Sequence, residues 1–309
     1  MYLTVTLNPA LDKIVYVEDF KLGQVNPIEI RETLAAGKGV DVSKVLRDLG
    51  HPVTACGFLG GNHAATFERL CITRSINDSF TRIKGQTRTN IHMLDAQGNE
   101  TELLEPAPEI SEKEWKAFME RLGQIMEGCE MVAICGSVPH SITPQMLSEM
   151  FTLIERYHLP VLIDTHGPAL DVALTKRPHL VKFNREKIRK QLGNPTPTEA
   201  EMIAYGESLL KMGVQNVLIS LGKDGALLIN KNGVLKSLSP DVKVVSTIGC
   251  GDAMVASIAE SLSMGRSPED MLRHSMAISS ANCMTLETAK INPEDYKNLL
   301  DVVQIEKIK

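Results

Sequence analysis

Short runs rich in β-branched residues alternate along this chain with longer stretches in which apolar residues recur at helical spacing. The runs YLTVTL from residue 2, VTACGF from 53, MVAICG from 131, PVLIDT from 160, LVKF from 180, NVLIS from 216 and VKVV from 242 predict strands. Amphipathic spacing predicts helices near 38–49, 64–71, 143–157, 198–212, 251–263, 267–285 and 293–303. Such alternation specifies βαβ units, so the predicted fold class is α/β, a three-layer α/β/α body around a mostly parallel sheet. Two segments, 13–33 and 87–105, break the rhythm, because each reads as a pair of strands around a polar turn with no helix between. They predict a small antiparallel β-sheet projecting from the body as a lid. No repeat or linker divides the chain, so residues 1–309 are expected to form one domain carrying that lid.

Composition narrows the partners. The chain is 43% hydrophobic and 23% charged, which supplies a large core, and its net charge of -5 gives no overall attraction to nucleic acid or an anionic membrane. The opening MYLTVTLNPALDK reads as strand and turn, not as an export signal, and no run approaches the roughly 18 apolar residues of a membrane span. Six cysteines without a Cys-x-x-Cys pair predict reduced, buried thiols in a cytoplasmic protein. The histidines show no ligand spacing, and His63 and His92 have no partner visible in sequence, so zinc chemistry is not expected. Trp115 is expected to be a partly exposed packing residue, and the closing DVVQIEKIK a solvated helix terminus.

Two glycine turns carry the candidate chemistry. In STIGCGDAMVAS, Gly249-Cys250-Gly251 lies where an extended run enters a helix, so backbone N–H groups and the helix dipole can face an anion there. Asp252 follows at once, an odd place for a carboxylate unless it handles a proton or orients a hydroxyl. Phosphoryl transfer needs both parts, donors for the transferred group and an acceptor for the attacking hydroxyl. Taken alone, the turn reads first as a helix start whose free N–H groups Asp252 merely caps. The second turn, LAAGKGVDVSKVL, places Gly37-Lys38-Gly39 before a helix and has the form of another anion site. Neither Gly37-Lys38 nor Gly222-Lys223 completes a Walker A loop, and neither glycine turn is a complete dinucleotide fingerprint. Further polar residues fall at strand ends: Asp12, Arg88, Gly136-Ser137, Lys182, Asn184, and Ser220 to Gly225. In an open parallel sheet ligands gather at that carboxyl edge.

The ordered segments TLNPALD, AAGKGVDVSKVLRDLG, GFLGG, KGQTRTNI, CGSVP, VKFN, ISLGKDGAL and STIGCGDAMVAS resemble the ribokinase-like sugar kinases of the phosphofructokinase B family over nearly the whole chain. The nearest resemblance is to 1-phosphofructokinases and tagatose-6-phosphate kinases. It implies a ribokinase-like fold, ATP as phosphoryl donor, and Mg2+ held chiefly by ATP phosphates and water. Asp252 would be the catalytic base, with the amides of Gly249, Cys250 and Gly251 as anion hole. Asp12 would hold sugar hydroxyls, Gly37, Lys38 and Gly39 would line the sugar pocket beside Asp41, and Lys38 with Arg88 would neutralise a phosphate already on the substrate. Lys182, Asn184, Ser220, Gly222 and Gly225 would serve the nucleotide, with Asn282 near the adenine.

The implied reaction is phosphorylation of a ketohexose phosphate, fructose 1-phosphate first and tagatose 6-phosphate second, in an enzyme that pairs through its lids as a homodimer. Several positions depart from the family pattern: Asp41 for asparagine, Phe183 for proline, Lys187 for glutamate with Glu186 one place early, Cys250 for alanine, Ala253 for serine and Ser257 for glycine. Asp41, Lys187 and Ala253 motivate a competing reading as a non-catalytic sugar-phosphate or ATP sensor.

Overall fold

The computed structural model describes residues 1–309. Its main sheet begins with β1 (Tyr2–Thr6), whose five residues are all buried, as expected of a strand covered on both faces. The chain then leaves for two strands of a second sheet, β2 (Ala10–Val17) and β3 (Glu29–Ala36), and returns through α1 (Lys38–Asp48) to β4 (Val53–Gly60). After α2 (His63–Thr73) and the short β5 (Asn77–Asp78) and β6 (Thr81–Ile83), the second sheet is completed by β7 (Arg88–Asp95) and β8 (Glu100–Leu104).

From α3 (Glu112–Met126) onward the alternation is regular: β9 (Met131–Cys135), α4 (Pro144–Glu155), β10 (Val161–Asp164), α5 (Pro168–Thr175), β11 (Leu180–Asn184), α6 (Arg185–Leu192), α7 (Glu199–Lys211) and β12 (Asn216–Ser220). The hairpin β13 (Ala226–Asn230) and β14 (Gly233–Ser237) follows, then α8 (Cys250–Ser263), α9 (Pro268–Cys283), α10 (Pro293–Leu300) and β15 (Ile305–Lys307).

The main sheet runs β15-β14-β13-β12-β11-β10-β9-β1-β4-β5. Pairing is parallel from β12 through β4 and antiparallel in the hairpin edge. Side-chain alternation divides the core: Met131, Ala133 and Cys135 of β9 join one cluster with α1, α8 and α9, while Val132 and Ile134 join another with α3, α4 and α7. The three-layer α/β/α prediction therefore holds.

Four local expectations do not. VKVV at 242–245 pairs with nothing and leaves Val244 and Val245 exposed, because β14, formed from GVLKS after the Lys231-Asn232 turn, already occupies the edge beside β13. The last helix stops at Leu300, and Ile305–Lys307 adds a strand to β14 instead of continuing as a solvated helix end. Trp115 is buried, with its ring 6.4 Å from Phe58 and 5.4 Å from Phe118. Finally, the second sheet, ordered β3-β2-β7-β8, is mixed: its central pair β2 and β7 is parallel because the chain re-enters the main sheet between them.

The aromatic cluster under α3 is a test of the packing. Replacing the fully buried Phe118 by Ala removes its contacts with both Phe58 and Trp115. The expected loss is about 3–5 kcal/mol of unfolding free energy in a urea titration, and a loss below about 1 kcal/mol would contradict this packing.

Candidate active site

The carboxyl ends of β1, β9, β10, β11 and β12 share one edge, and the N-termini of α1 and α8 meet that edge. Gly249 starts α8 with φ 78°, and a Cβ there would lie 2.8 Å from the Ala289 nitrogen. Only glycine turns the chain there without strain. The N–H groups of Gly249, Gly251 and Asp252 donate to no acceptor in the chain, and that of Cys250 reaches the Thr247 carbonyl only at 3.4 Å. Unpaired donors at a helix N-terminus are an anion site in waiting.

Beneath this turn lies a compact charge cluster. Asp164, the last residue of β10, has no solvent exposure and receives Lys182 Nζ at 3.4 Å, Lys38 Nζ at 3.7 Å and the Lys187 ammonium. Asp252 is 5% exposed and takes Lys38 Nζ at 3.2 Å. Three ammonium groups against two carboxylates leave one positive charge facing the free amides. Burial alone would push the Asp164 carboxyl up, but Lys182, Lys38 and Lys187 outweigh it and hold the carboxyl well below its usual range. Asp252, then Asp164, raises Lys38 well above an ordinary lysine, while burial lowers Lys182 against the pull of Asp164. Gly251 is small for a reason visible here: a Cβ would stand 2.5 Å from Lys182 Nζ.

The second sheet brings a polar row to the same edge. Register pairs Ala10 with Arg88, Asp12 with Asn90 and Ile14 with His92. Asp12 accepts from Asn90 Nδ2 at 2.8 Å and pairs with His92 Nε2 at 2.9 Å, while Arg88 donates to Asn90 Oδ1 at 2.9 Å and to the Asn8 carbonyl at 3.3 Å. Burial lowers the Arg88 guanidinium, with Asp12 and Glu105 opposing.

Several expected residues stand elsewhere than the resemblance implies. The Lys38 ammonium is engaged by the two aspartates of the cluster and not by the Arg88 row. Lys182 belongs to the cluster under the anion turn, because its side chain runs between Asp164 and Gly251. Asn282 is 1% exposed and turned inward, its amide donating to the Ile248 carbonyl at 2.8 Å and to Cys250 Sγ at 3.2 Å, so it braces the turn. Asp41 is paired with Lys44 at 2.9 Å inside α1, although burial still raises its carboxyl to about 6.

Gly37 and Gly39 let α1 approach β1, since Cβ atoms there would lie 2.7 and 2.3 Å from Thr6. Asn184 caps α6 through the Lys187 N–H at 2.8 Å, and Ser220 donates to the Phe183 carbonyl at 3.3 Å. Gly222 and Gly225 shape the tight turn after β12, with φ 65° and 94°. A groove of about 550 Å3 opens beside it, lined by Arg185, Leu221, Lys223 and Asp224 but by none of the cluster residues.

Comparison with known proteins decides the family. The family model for pfkB family carbohydrate kinases matches residues 5–295. The chain belongs to that family. This pfkB kinase is therefore a phosphotransferase, and it is 34% identical to the 1-phosphofructokinase of Haemophilus influenzae over 279 residues, 90% of this chain and 89% of that one. It is also 33% identical to the 1-phosphofructokinase of Borreliella burgdorferi, covering 100% and 99%. The crystal structure of phosphofructokinase-2 from Escherichia coli with potassium overlays this kinase with TM-score 0.91 at 24% identity, covering 97% and 98% of the two chains. That overlay carries the ribokinase-like fold. No helix of the kinase is long and apolar enough to cross a membrane.

Asp164, Asn90 and His92 are the site residues that sequence reading missed. Asp164 was visible as a lone acid ending an apolar strand, and Asn90 and His92 as alternate positions after Arg88 in RTNIH. The hydrogen bond to Asp12 raises His92, against its burial, and Glu102 and Glu100 add to the rise from 3.7 Å. A raised histidine stabilises the fold fully below its unfolded value near 6.5, and that contribution is lost as pH climbs through the higher folded value. The stability gap between the wild type and His92→Gln should accordingly shrink as pH rises from about 6 into the alkaline range in parallel urea titrations. A gap that widens over that window would contradict the pairing.

Proposed function

We propose that this kinase transfers the γ-phosphoryl group of ATP to fructose 1-phosphate, giving fructose 1,6-bisphosphate. The observation that supports this most directly is the convergence of Asp252, Lys38 and the free amides of residues 249–251 on one point of the sheet edge. In this reading the acceptor hydroxyl approaches Asp252, whose carboxylate takes the proton as the new O–P bond forms and the bond from the γ-phosphorus to the β-phosphate oxygen breaks, releasing ADP. The amides and the surplus positive charge of the Asp164 cluster meet the charge on the migrating group. Lys38, already on Asp252, serves the transferred phosphoryl group, and Arg88 serves the phosphate that the sugar brings.

Asp12, fixed by Asn90 and His92, holds sugar hydroxyls, while Asn184, Ser220 and the 222–225 turn face the nucleotide. Magnesium would be held chiefly by the ATP phosphates and water. Both buried carboxylates of the cluster are already paired with lysines, and Glu186 lies exposed on Lys190 at 2.6 Å, so these three acids offer the ion no ready cage. When bound, the ion would neutralise phosphate charge.

The second sheet acts as a lid that excludes water during transfer. Its outer strands and connecting loop expose Leu22, Val25, Ile28, Ile30, Leu103 and Leu104, which suits pairing of two lids in a homodimer. One phosphofructokinase-2 structure from Escherichia coli is described as a tetrameric inhibited form.

Steady-state kinetics on a panel of fructose 1-phosphate, tagatose 6-phosphate and unphosphorylated fructose tests the assignment. Asp252→Asn should lower kcat by about 10²–10⁴ while ATP binding persists. Arg88→Ala should raise KM for phosphorylated ketoses about tenfold to hundredfold and leave fructose unaffected. Preference for tagatose 6-phosphate would replace the proposed acceptor, and tight binding of both ligands without product would favour a sensor.

A further inference from the structure

We infer that Cys250 and Cys283 form a redox-responsive dithiol site, in which a hydroperoxide oxidises the pair to a disulfide that ties the anion-binding turn to the end of α9. Phosphoryl transfer as described uses only the main-chain N–H of Cys250, so neither thiol has a task there. The other four cysteines are buried, whereas these two are partly exposed. They stand at the first residue of α8 and the last of α9, with their sulfurs 2.6 Å apart. That is only about half an ångström beyond bonding distance.

The surrounding backbone already holds the two ends together. The Cys283 carbonyl accepts from the Val245 N–H at 2.7 Å and the Ser246 N–H at 3.2 Å, and neighbouring Asn282 grips the Ile248 carbonyl at 2.8 Å and Cys250 Sγ at 3.2 Å. The two sulfurs are thus already held side by side. The hydrogen bond from Cys250 lowers the Cys283 thiol against the effect of its burial, and the same contact raises Cys250. Either sulfur can donate to the other in this contact, the thiolate is the nucleophile, and Cys283 takes that role in the proposed chemistry.

The chemistry balances with the peroxide as oxidant. Cys283 thiolate attacks the peroxide, the O–O bond breaks, and the departing alkoxide takes a proton to leave as alcohol, giving the Cys283 sulfenic acid. Cys250 sulfur then attacks that sulfur; the S–S bond forms, the S–O bond breaks, and hydroxide leaves as water with the Cys250 proton. Two thiols lose two electrons and two hydrogens, and the peroxide is reduced to alcohol and water. An intracellular thiol reductant reverses the step. Once bonded, the 246–250 turn can no longer adjust to the migrating phosphoryl group. This consequence for turnover rests on the proposed phosphotransfer, whereas the crosslink does not.

The purified full-length protein, treated with stoichiometric hydrogen peroxide and quenched, tests the site. Intact mass should fall by two hydrogen atoms, peptide mapping should join residues 250 and 283, and dithiothreitol should restore both thiols. The kcat should drop about tenfold and recover on reduction. Cys283→Ser, with Cys283→Ala as a second choice if the first folds poorly, should keep kcat within about twofold and lose the peroxide response. A Cys283 sulfinate without crosslink, or a crosslink between other cysteines, overturns the site. A 250–283 crosslink with unchanged kcat overturns its coupling to the turn. Absence of turnover in the reduced wild type would instead refute the phosphotransfer reading, which the mass measurement does not involve.

Discussion

One carboxylate shared by three lysines governs this site. Asp164 is wholly removed from solvent, and no lysine would bury an ammonium at the end of β10 without a partner there. Because Lys38, Lys182 and Lys187 come from α1, β11 and α6, the shared acid fastens three separate elements to one point of the sheet edge. Breaking such a network by removing its acid leaves uncompensated buried charge, which costs far more than an exposed pair. The same constraint explains Gly251, since any larger residue would meet Lys182.

The cluster also sets the sign of the field. Its surplus charge and the unpaired amides of α8 act in the same direction, so an anion at the turn is met by both. On the other side of the acceptor, the Asp12 row is fixed by the parallel register of β2 and β7, which places Arg88, Asn90 and His92 in line. In the proposed reaction the second sheet is thus more than a cover: two of its strands hold the groups assigned to the sugar. Lys187 departs from the family pattern, yet its ammonium is integral to the Asp164 network. Asp41, the other departure that questioned substrate binding, is answered by Lys44 within its own helix.

The parallel body was legible because each strand covered on both faces reads as an unbroken apolar run, as MVAIC and YLTVT do. The glycine turns were legible because Gly249 and Gly37 need backbone freedom that few residues allow. What escaped depended on distant partners. VKVV has strand composition, but a strand needs a neighbour, and GVLKS had taken the place. Trp115 sits in a polar-looking stretch whose apolar side is fixed only when Phe58 arrives from β4. Asn282 and the Cys250–Cys283 contact join residues more than thirty positions apart, and no spacing rule announces them. The identity of Asp164 as an anchor required knowing that three lysines converge on it.

The central claim is that the Asp164 cluster and the 249–251 amides assemble around a phosphoryl group moving to a hydroxyl held by Asp252. A crystal structure with ADP, a planar metal-fluoride mimic of the phosphoryl group and fructose 1-phosphate tests it most directly. The account predicts the mimic within about 3 Å of those amides and an acceptor hydroxyl within about 3 Å of the Asp252 carboxylate. A mimic bound away from the turn, with Asp252 remote from every hydroxyl of the sugar, would contradict it.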